Sequence, residues 1–219
     1  RNFIALLGWS PGGDREKMPL DEMIEAFTLD RVNPKGAIFD ESKLEWLNGE
    51  YMKDMAAVDL LPRVAPLWIE KGLIAENDVE NDREYLCHVI ELFKGRTRRT
   101  HDFVDLAGFC LRAPTSYHEK ARAKHWSDPA AADRLAAAAD AFANLEPFDA
   151  RTTEEVVRLL SEKEGVSASR YIHPIRLAVS GMSFGPGLFE MLEVLGKGRV
   201  VERLRTAVHV IRSDRVGTD

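Results

Sequence analysis

One three-part unit recurs along this chain: a capping side chain, apolar residues at helical spacing, then a glycine or proline stop. Such a unit hides a single apolar stripe, so a chain built from it must stack helix on helix. In PLDEMIEAFTL the positions Leu20, Met23, Ile24 and Phe27 share one helical face. Asp40 stands where a cap belongs ahead of ESKLEWLNGEYM, whose Leu44, Leu47 and Tyr51 share a face. Asp59 is placed to cap LLPRVAPLWIEKG, with Gly72 as its stop. Asp82 precedes REYLCHVIELFKG, which runs out at Gly95. Asp128 and Pro129 open an alanine-rich helix that ends by Pro147. Thr152 or Thr153 opens TEEVVRLLSEKEG, and three further helices are expected at roughly 171–179, 186–195 and 198–211. Strand signals are confined to EKMPL and GAIFD, which bracket the first clear helix and predict a small two-stranded element. The predicted fold is therefore predominantly all-α, with a small mixed α/β piece at the N-terminus. Breaks near Leu61–Pro66 and Pro147–Thr153 divide the chain into 1–62, 63–148 and 149–219.

With 219 residues, of which 45% are hydrophobic, the chain can build a packed core. No apolar run approaches the roughly 20 residues that cross a bilayer. The opening RNFIALLGW has no signal-peptide pattern and no initiator Met, and reads as a piece of something longer. Cys87 and Cys110 lie far apart in apolar surroundings and read as free thiols of a reducing cytoplasm. The net charge of −6 argues against a nucleic-acid partner until its distribution is read. From Lys94 to His125 there are eight Lys/Arg against three acids, and from Gly196 to Val216 six against two. Glu76 to Glu91 carries six acids against one Arg. Segregation of this kind gives an acidic protein a local basic surface when the basic stretches meet in space, and solvated, scattered faces when they do not.

Catalytic motifs are missing from the sequence: no GxSxG, HExxH or GxxxxGK[ST], and six dispersed histidines without metal spacing. The acid pairs Glu154/Glu155 and Asp21/Glu22 fall in first helical turns, where they complement the helix dipole. FKGRTRRTHDF sets Lys94, Arg96, Arg98 and Arg99 directly behind a helix end. These cations either bind phosphate and base edges or form a solvated basic cap. In HPIRLAVSGMSFGPGLFEML, Arg176 lies in an apolar helix, and Gly185, Pro186 and Gly187 turn the chain into the next one. That turn reads either as a backbone surface for an anion or as an ordinary helix–helix connection. A nucleotide-binding glycine loop needs a preceding strand, and HPIRLAV reads as helix. Trp46 reads either as an exposed stacking surface or as packing between domains.

These segments carry a resemblance. RNFIALLGWSPGGDRE, FDESKLEWLNGEYM and HPIRLAVSGMSFGPGLFEMLEVLGKGRVVERL are similar, in order and over essentially the whole chain, to bacterial glutamyl-tRNA synthetases. The resemblance covers the C-terminal part of that family. Its HIGH-like and KMSKS-like elements are not found here; EKMPL falls behind the ALLGW landmark and is not the latter. The resemblance implies a stem-contact piece at 1–62 and a two-part helical cage at 63–148 and 149–219, the anticodon-binding domain of class I aminoacyl-tRNA synthetases. It implies that Arg96 and Arg176 read the anticodon, with Arg96 choosing tRNA-Glu over tRNA-Gln. It further implies that Gly185, Pro186 and Leu188 flank the splayed anticodon bases. Phe184-Gly185 departs from the family pattern, so a side-chain contact at 185 becomes a backbone one. Lys43 and Trp46 are assigned to the tRNA stem, on the helix that also carries Asn48 and Tyr51. Lys94, Arg98 and Arg99 are assigned to the tRNA backbone.

The expectation is thus a tRNA-recognition fragment of a glutamate–tRNA ligase, with tRNA-Glu as partner, no catalytic or metal-ligating residue of its own, and ATP and Mg used by the parent enzyme. A cytoplasmic monomer without membrane or DNA partners is expected. Two other readings stand beside it. One is a helical protein-interaction module docking through the amphipathic KGRVVERLRTAVHVIR; the other is a small-molecule phosphate enzyme built on the glycine turn.

Overall fold

A computed structural model describes residues 1–13, 15–34 and 36–216. Thirteen α-helices account for most of them, and the described residues contain no strand. They are α1 (Asn2–Gly8), α2 (Leu20–Ala26), α3 (Glu41–Asp54), α4 (Ala57–Glu70), α5 (Asp78–Asn81), α6 (Arg83–Lys94) and α7 (Asp102–Leu111). The series continues with α8 (Glu119–His125), α9 (Ala131–Ala143), α10 (Ala150–Glu164), α11 (Ser169–Ser180), α12 (Leu188–Leu195) and α13 (Lys197–Val216).

The caps show why these segments stop and start where they do. Asp40 caps α3 as expected, its carboxylate accepting from the Lys43 amide at 3.1 Å. For α10 the cap is Asp149 rather than either threonine. Asp149 accepts from the Thr152 amide at 2.7 Å, and the Thr152 hydroxyl sits 3.2 Å from the Asp149 amide, a reciprocal capping box. Asp59 falls inside the first turn of α4, which starts three residues earlier than the sequence suggests. That helix carries Pro62 and Pro66, both on its exposed side, where water can satisfy the carbonyls their missing N–H groups leave behind. Leu60, Leu61, Val64, Ala65 and Trp68 line its buried side.

The expected two-stranded element does not form. The backbone of EKMPL is satisfied by side chains instead: the Met18 amide donates to Asn2 Oδ1 (3.0 Å) and the Met18 carbonyl accepts from the Tyr51 hydroxyl (2.7 Å). GAIFD has no partner strand, and its Ile38 and Phe39 are exposed. A lone ribbon is marginal in water. What remains is a single antiparallel bridge between Trp9 and Val32.

Two apolar clusters follow from this arrangement. A small one joins Trp9, Met18 and Met23. The large one runs without a break from Met52 through Ile211, so the helices on both sides of residue 148 share one core. α13 belongs to it: Val200, Leu204, Ala207 and Ile211 are buried, and the helix packs chiefly on α9 and α11. Its apolar stripe is consumed inside the fold, which removes the feature that suggested a partner-docking helix.

Candidate nucleic-acid interface

The segment between α6 and α7 is held by its own sequence. The Arg96 amide donates to the Phe93 carbonyl at 2.8 Å, and the buried Thr97 donates through its hydroxyl to the Lys94 carbonyl at 3.1 Å. Asp102, in the first turn of α7, accepts from the amides of Arg98 (2.8 Å) and Arg99 (2.9 Å). Burial opposes ionisation of this carboxyl, but those two amides and the Arg99 charge hold it below its ordinary range. With the backbone fixed, the side chains of Arg96, Arg98 and Arg99 are turned outward and exposed.

They are not equivalent. Arg99 pairs with Glu45 (3.2 Å) and Asp102 (3.5 Å), and Lys94 pairs with Glu91 (2.7 Å). Among the described residues, the guanidinium groups of Arg96 and Arg98 have no ion-pair partner. Beside Arg96, a shallow hollow of about 560 Å³ is lined by Lys53, Lys94 and Arg96, with the Glu91 carboxylate among them. Lys53 is a cation the sequence reading passed over. Its signal was seven-residue spacing from Trp46, which puts both on one side of α3.

α3 fixes this loop from one side. Asn48 donates to the Arg98 carbonyl at 2.6 Å. At Gly49 a Cβ would stand 3.0 Å from the Thr97 carbonyl oxygen and 3.4 Å from Arg98 Cα, so only glycine allows this approach without adjustment. Residues 45, 48 and 49 thus face the loop, while Lys43, paired with Glu16, and Tyr51 face the N-terminal cluster. Trp46 is on the flank between the two faces, 37% exposed.

α11 and the turn after it lie within the electrostatic reach of Arg96. Half-buried Arg176 donates from Nη1 to the Pro186 carbonyl at 2.8 Å. Burial lowers the pKa of its guanidinium, the charge of Arg96 lowers it further, and the Glu190 carboxylate opposes both. The structure therefore brings Arg96 and Arg176, eighty residues apart in sequence, into one electrostatic field. Gly181 ends α11 with φ +73 and lies so close to the 112–118 segment that a Cβ would be 2.7 Å from the Ser116 carbonyl oxygen. Gly185 has φ +147, and a Cβ there would touch Arg176 Nη1 at 3.4 Å. Phe184 projects from this turn, 54% exposed.

The other two residues assigned to the turn behave differently. Pro186 and Leu188 are buried, so their side chains hold the turn rather than face outward. What the turn offers outside is Ser183, the Phe184 ring, the partly exposed Gly185 backbone and Gly187. An exposed aromatic on the turn that Arg176 latches, with Arg96 in the same field, provides stacking and forked donors, the tools that read unstacked bases. A helix, α11, precedes the glycines instead of a strand, so the nucleotide-loop reading has no support in the fold.

The family model described as the anticodon binding domain matches residues 59–208. The glutamate–tRNA ligase of Moorella thermoacetica is 40% identical over 214 residues, 97% of this chain and 44% of its own length. Glutamate–tRNA ligase 1 of Caldanaerobacter subterraneus is 37% identical, over 99% of this chain and 44% of its own. Among solved structures, a glutamate tRNA ligase from Elizabethkingia meningosepticum, crystallised in complex with its amino acid, superposes with a TM-score of 0.84 at 30% identity, covering 96% of this chain and 40% of that one. The chain spans less than half the length of these ligases. It belongs to the anticodon-binding domain family, in the form that glutamate–tRNA ligases carry.

Proposed function

We propose that this chain is the tRNA-recognising part of a glutamate–tRNA ligase, gripping the anticodon loop and inner stem of tRNA-Glu. The observation that carries the reading is the shared electrostatic field of Arg96 and Arg176, the latter bonded to the 183–187 turn. Two like charges, one exposed and one half-buried, gain from a polyanion that meets both. Arg96 supplies the discriminating contact, Arg176 orders the turn and meets the loop, and the Gly185 backbone and Phe184 ring line the space for splayed bases. Arg98 and Lys94, with the unanticipated Lys53, face the phosphate backbone. Lys43, Lys53, Lys94 and Arg99 are engaged in ion pairs and would have to exchange a carboxylate for a phosphate. Trp46 is the available stacking or packing surface toward the stem.

In this reading 1–62 is the stem-contact piece, and 63–148 and 149–219 are the two parts of the helical cage. The protein works in the cytoplasm as a monomer. Aminoacylation, with its ATP and Mg, belongs to the part of the ligase this chain does not match. Among the described residues no group of three or more His, Cys, Asp or Glu is placed to hold a metal, and we derive no step through one. No helix of the described residues is long and apolar enough to cross a membrane.

Binding of the 219-residue chain to tRNA-Glu and to an unrelated tRNA, titrated across salt, tests the reading. The expected result is tighter binding to tRNA-Glu with a log–log salt slope of several units, about 0.7–0.9 per phosphate neutralised. Equal affinity for both RNAs would refute it.

A further inference from the structure

Away from the Arg96 loop, a second basic hollow of about 360 Å³ opens between the end of α8 and the first turns of α11. Lys124 and His125 reach it from α8, Arg170 and His173 from α11. The two imidazole rings stack at 4.7 Å with 19° between their planes. Burial, the neighbouring His173, and the charges of Lys124 and Arg170 hold His125 below its ordinary pKa.

The carboxylates near this hollow are already committed. Arg134, buried on α9, forks onto Glu164 (Nε to Oε1 2.8 Å, Nη2 to Oε1 2.6 Å) and reaches Asp128 from Nη1 at 2.6 Å. Asp128 also takes Arg170 at 3.3 Å. The Lys124 ammonium has no ion-pair partner among the described residues. Three permanent cations thus meet two carboxylates, and two imidazoles stand ready to add charge. The N-terminal end of α11, twelve residues long, contributes its dipole on the same side through Ser169.

We propose that this hollow is a phosphate-binding subsite, with one phosphate group held between Lys124, Arg170 and the His125–His173 pair. Donors converge on it from two helices, which suits a tetrahedral dianion better than a planar carboxylate. Bound phosphate would favour protonated imidazoles, so affinity should strengthen as pH falls toward 6. Phosphate chemistry has two sources here, a polynucleotide backbone or a free phosphate. His173 lies three residues before Arg176, about 4.5 Å along α11, so a backbone passing Arg176 comes within reach.

The test follows the imidazole ring-proton resonances of the intact chain against pH. One series contains inorganic phosphate, one chloride at matched ionic strength, and one an anticodon-hairpin RNA. Phosphate should raise the midpoint of His125, which neighbouring cations hold low, by about one unit. Arg170→Ala should weaken phosphate binding about tenfold, the loss expected for one charge-assisted contact. Midpoints identical in phosphate and chloride would overturn the proposal on the unaltered protein, however the variant folds. If the RNA moves the same resonances, the source is backbone phosphate; if only inorganic phosphate does, the site serves a free phosphate. Neither result depends on whether Arg96 discriminates between tRNAs.

Discussion

The Arg176 guanidinium donates to the Pro186 carbonyl at 2.8 Å, and its charge lies in the field of Arg96. One hydrogen bond thus makes the arginine both a latch on the turn and half of a cationic pair. The two roles separate by substitution. Arg176→Ala removes the latch and the charge, whereas Arg96→Gln removes only charge, since the exposed Arg96 side chain makes no ion pair with the described residues. Arg96→Gln should leave thermal stability within about 0.5 kcal/mol, as surface changes do. It should reduce the preference for tRNA-Glu over tRNA-Gln by about 1–3 kcal/mol, the worth of a bidentate arginine contact. Competition binding with the two tRNAs measures this, and an unchanged preference would remove Arg96 from the discriminating role.

Much of this arrangement was legible in the sequence, and what was missed has physical causes. Nine of the thirteen helices came through because apolar periodicity, Asp40 and the glycine stops are local signals; α1, α5, α7 and α8, each ten residues or fewer, are too short to show a clear period. The strand pair at EKMPL and GAIFD was misread because Asn2 and Tyr51, 16 and 33 residues from Met18, supply its backbone partners. No window-based reading sees those contacts. Arg96 and Arg176 were picked out by their place in a recognised pattern, but their common field depends on tertiary packing. Lys53 and Phe184 went unselected because exposure, not residue type, makes them accessible. Leu188 looked like a contact residue and is buried because it opens α12 against the core.

Gly181 is a point of strain for any side chain. Its φ of +73 disfavours an L-residue, and a Cβ would lie 2.7 Å from the Ser116 carbonyl oxygen and 2.9 Å from Pro114 Cβ. Neither neighbour is the free end of a flexible chain. Gly181→Ala should therefore destabilise by about 2–4 kcal/mol, combining the αL cost with displacement of the 112–118 segment. Urea unfolding checks the magnitude. A change below about 0.5 kcal/mol would show that the segment yields freely.

Acid should attack the Arg134 network in a definite order. The Glu164 carboxyl is lowered chiefly by its hydrogen bonds from Arg134, and Asp128 by the Ala130 amide and then Arg134. Both folded pKa values lie below the unfolded ones. Their stabilisation is present above the ordinary carboxylate range and is lost as pH falls through the folded values. His125, also lowered, adds an earlier loss as pH drops past the ordinary histidine range. Melting temperature should hold from pH 8 to 7, dip slightly near 6, and fall steeply below about 4. Arg134→Met should flatten the steep part while lowering stability at neutral pH, because it leaves two carboxylates unpaired. A wild-type melting temperature independent of pH between 7 and 3 would contradict this assignment.

Gly49 tests whether α3 sets the position of the arginine loop. A Cβ there would meet the Thr97 carbonyl at 3.0 Å and Arg98 Cα at 3.4 Å, both backbone atoms. Gly49→Ala favours helix by about 1 kcal/mol, as glycine-to-alanine changes do in helix interiors. The same change forces the 95–101 segment outward by a few tenths of an ångström or breaks the Asn48–Arg98 bond of 2.6 Å. Stability should therefore change by less than about 1 kcal/mol in either direction, since the two effects oppose. RNA affinity should fall about three- to tenfold, because Arg96 and Arg98 are displaced from their common surface. Asn48→Ala, which removes the bond without adding bulk, should produce a smaller loss of affinity with a similar sign. Hydrogen exchange of the Thr97 and Arg98 amides would locate the disturbance. Unaltered RNA affinity in both variants would show that the loop holds its place without α3, through Asp102 and Thr97 alone.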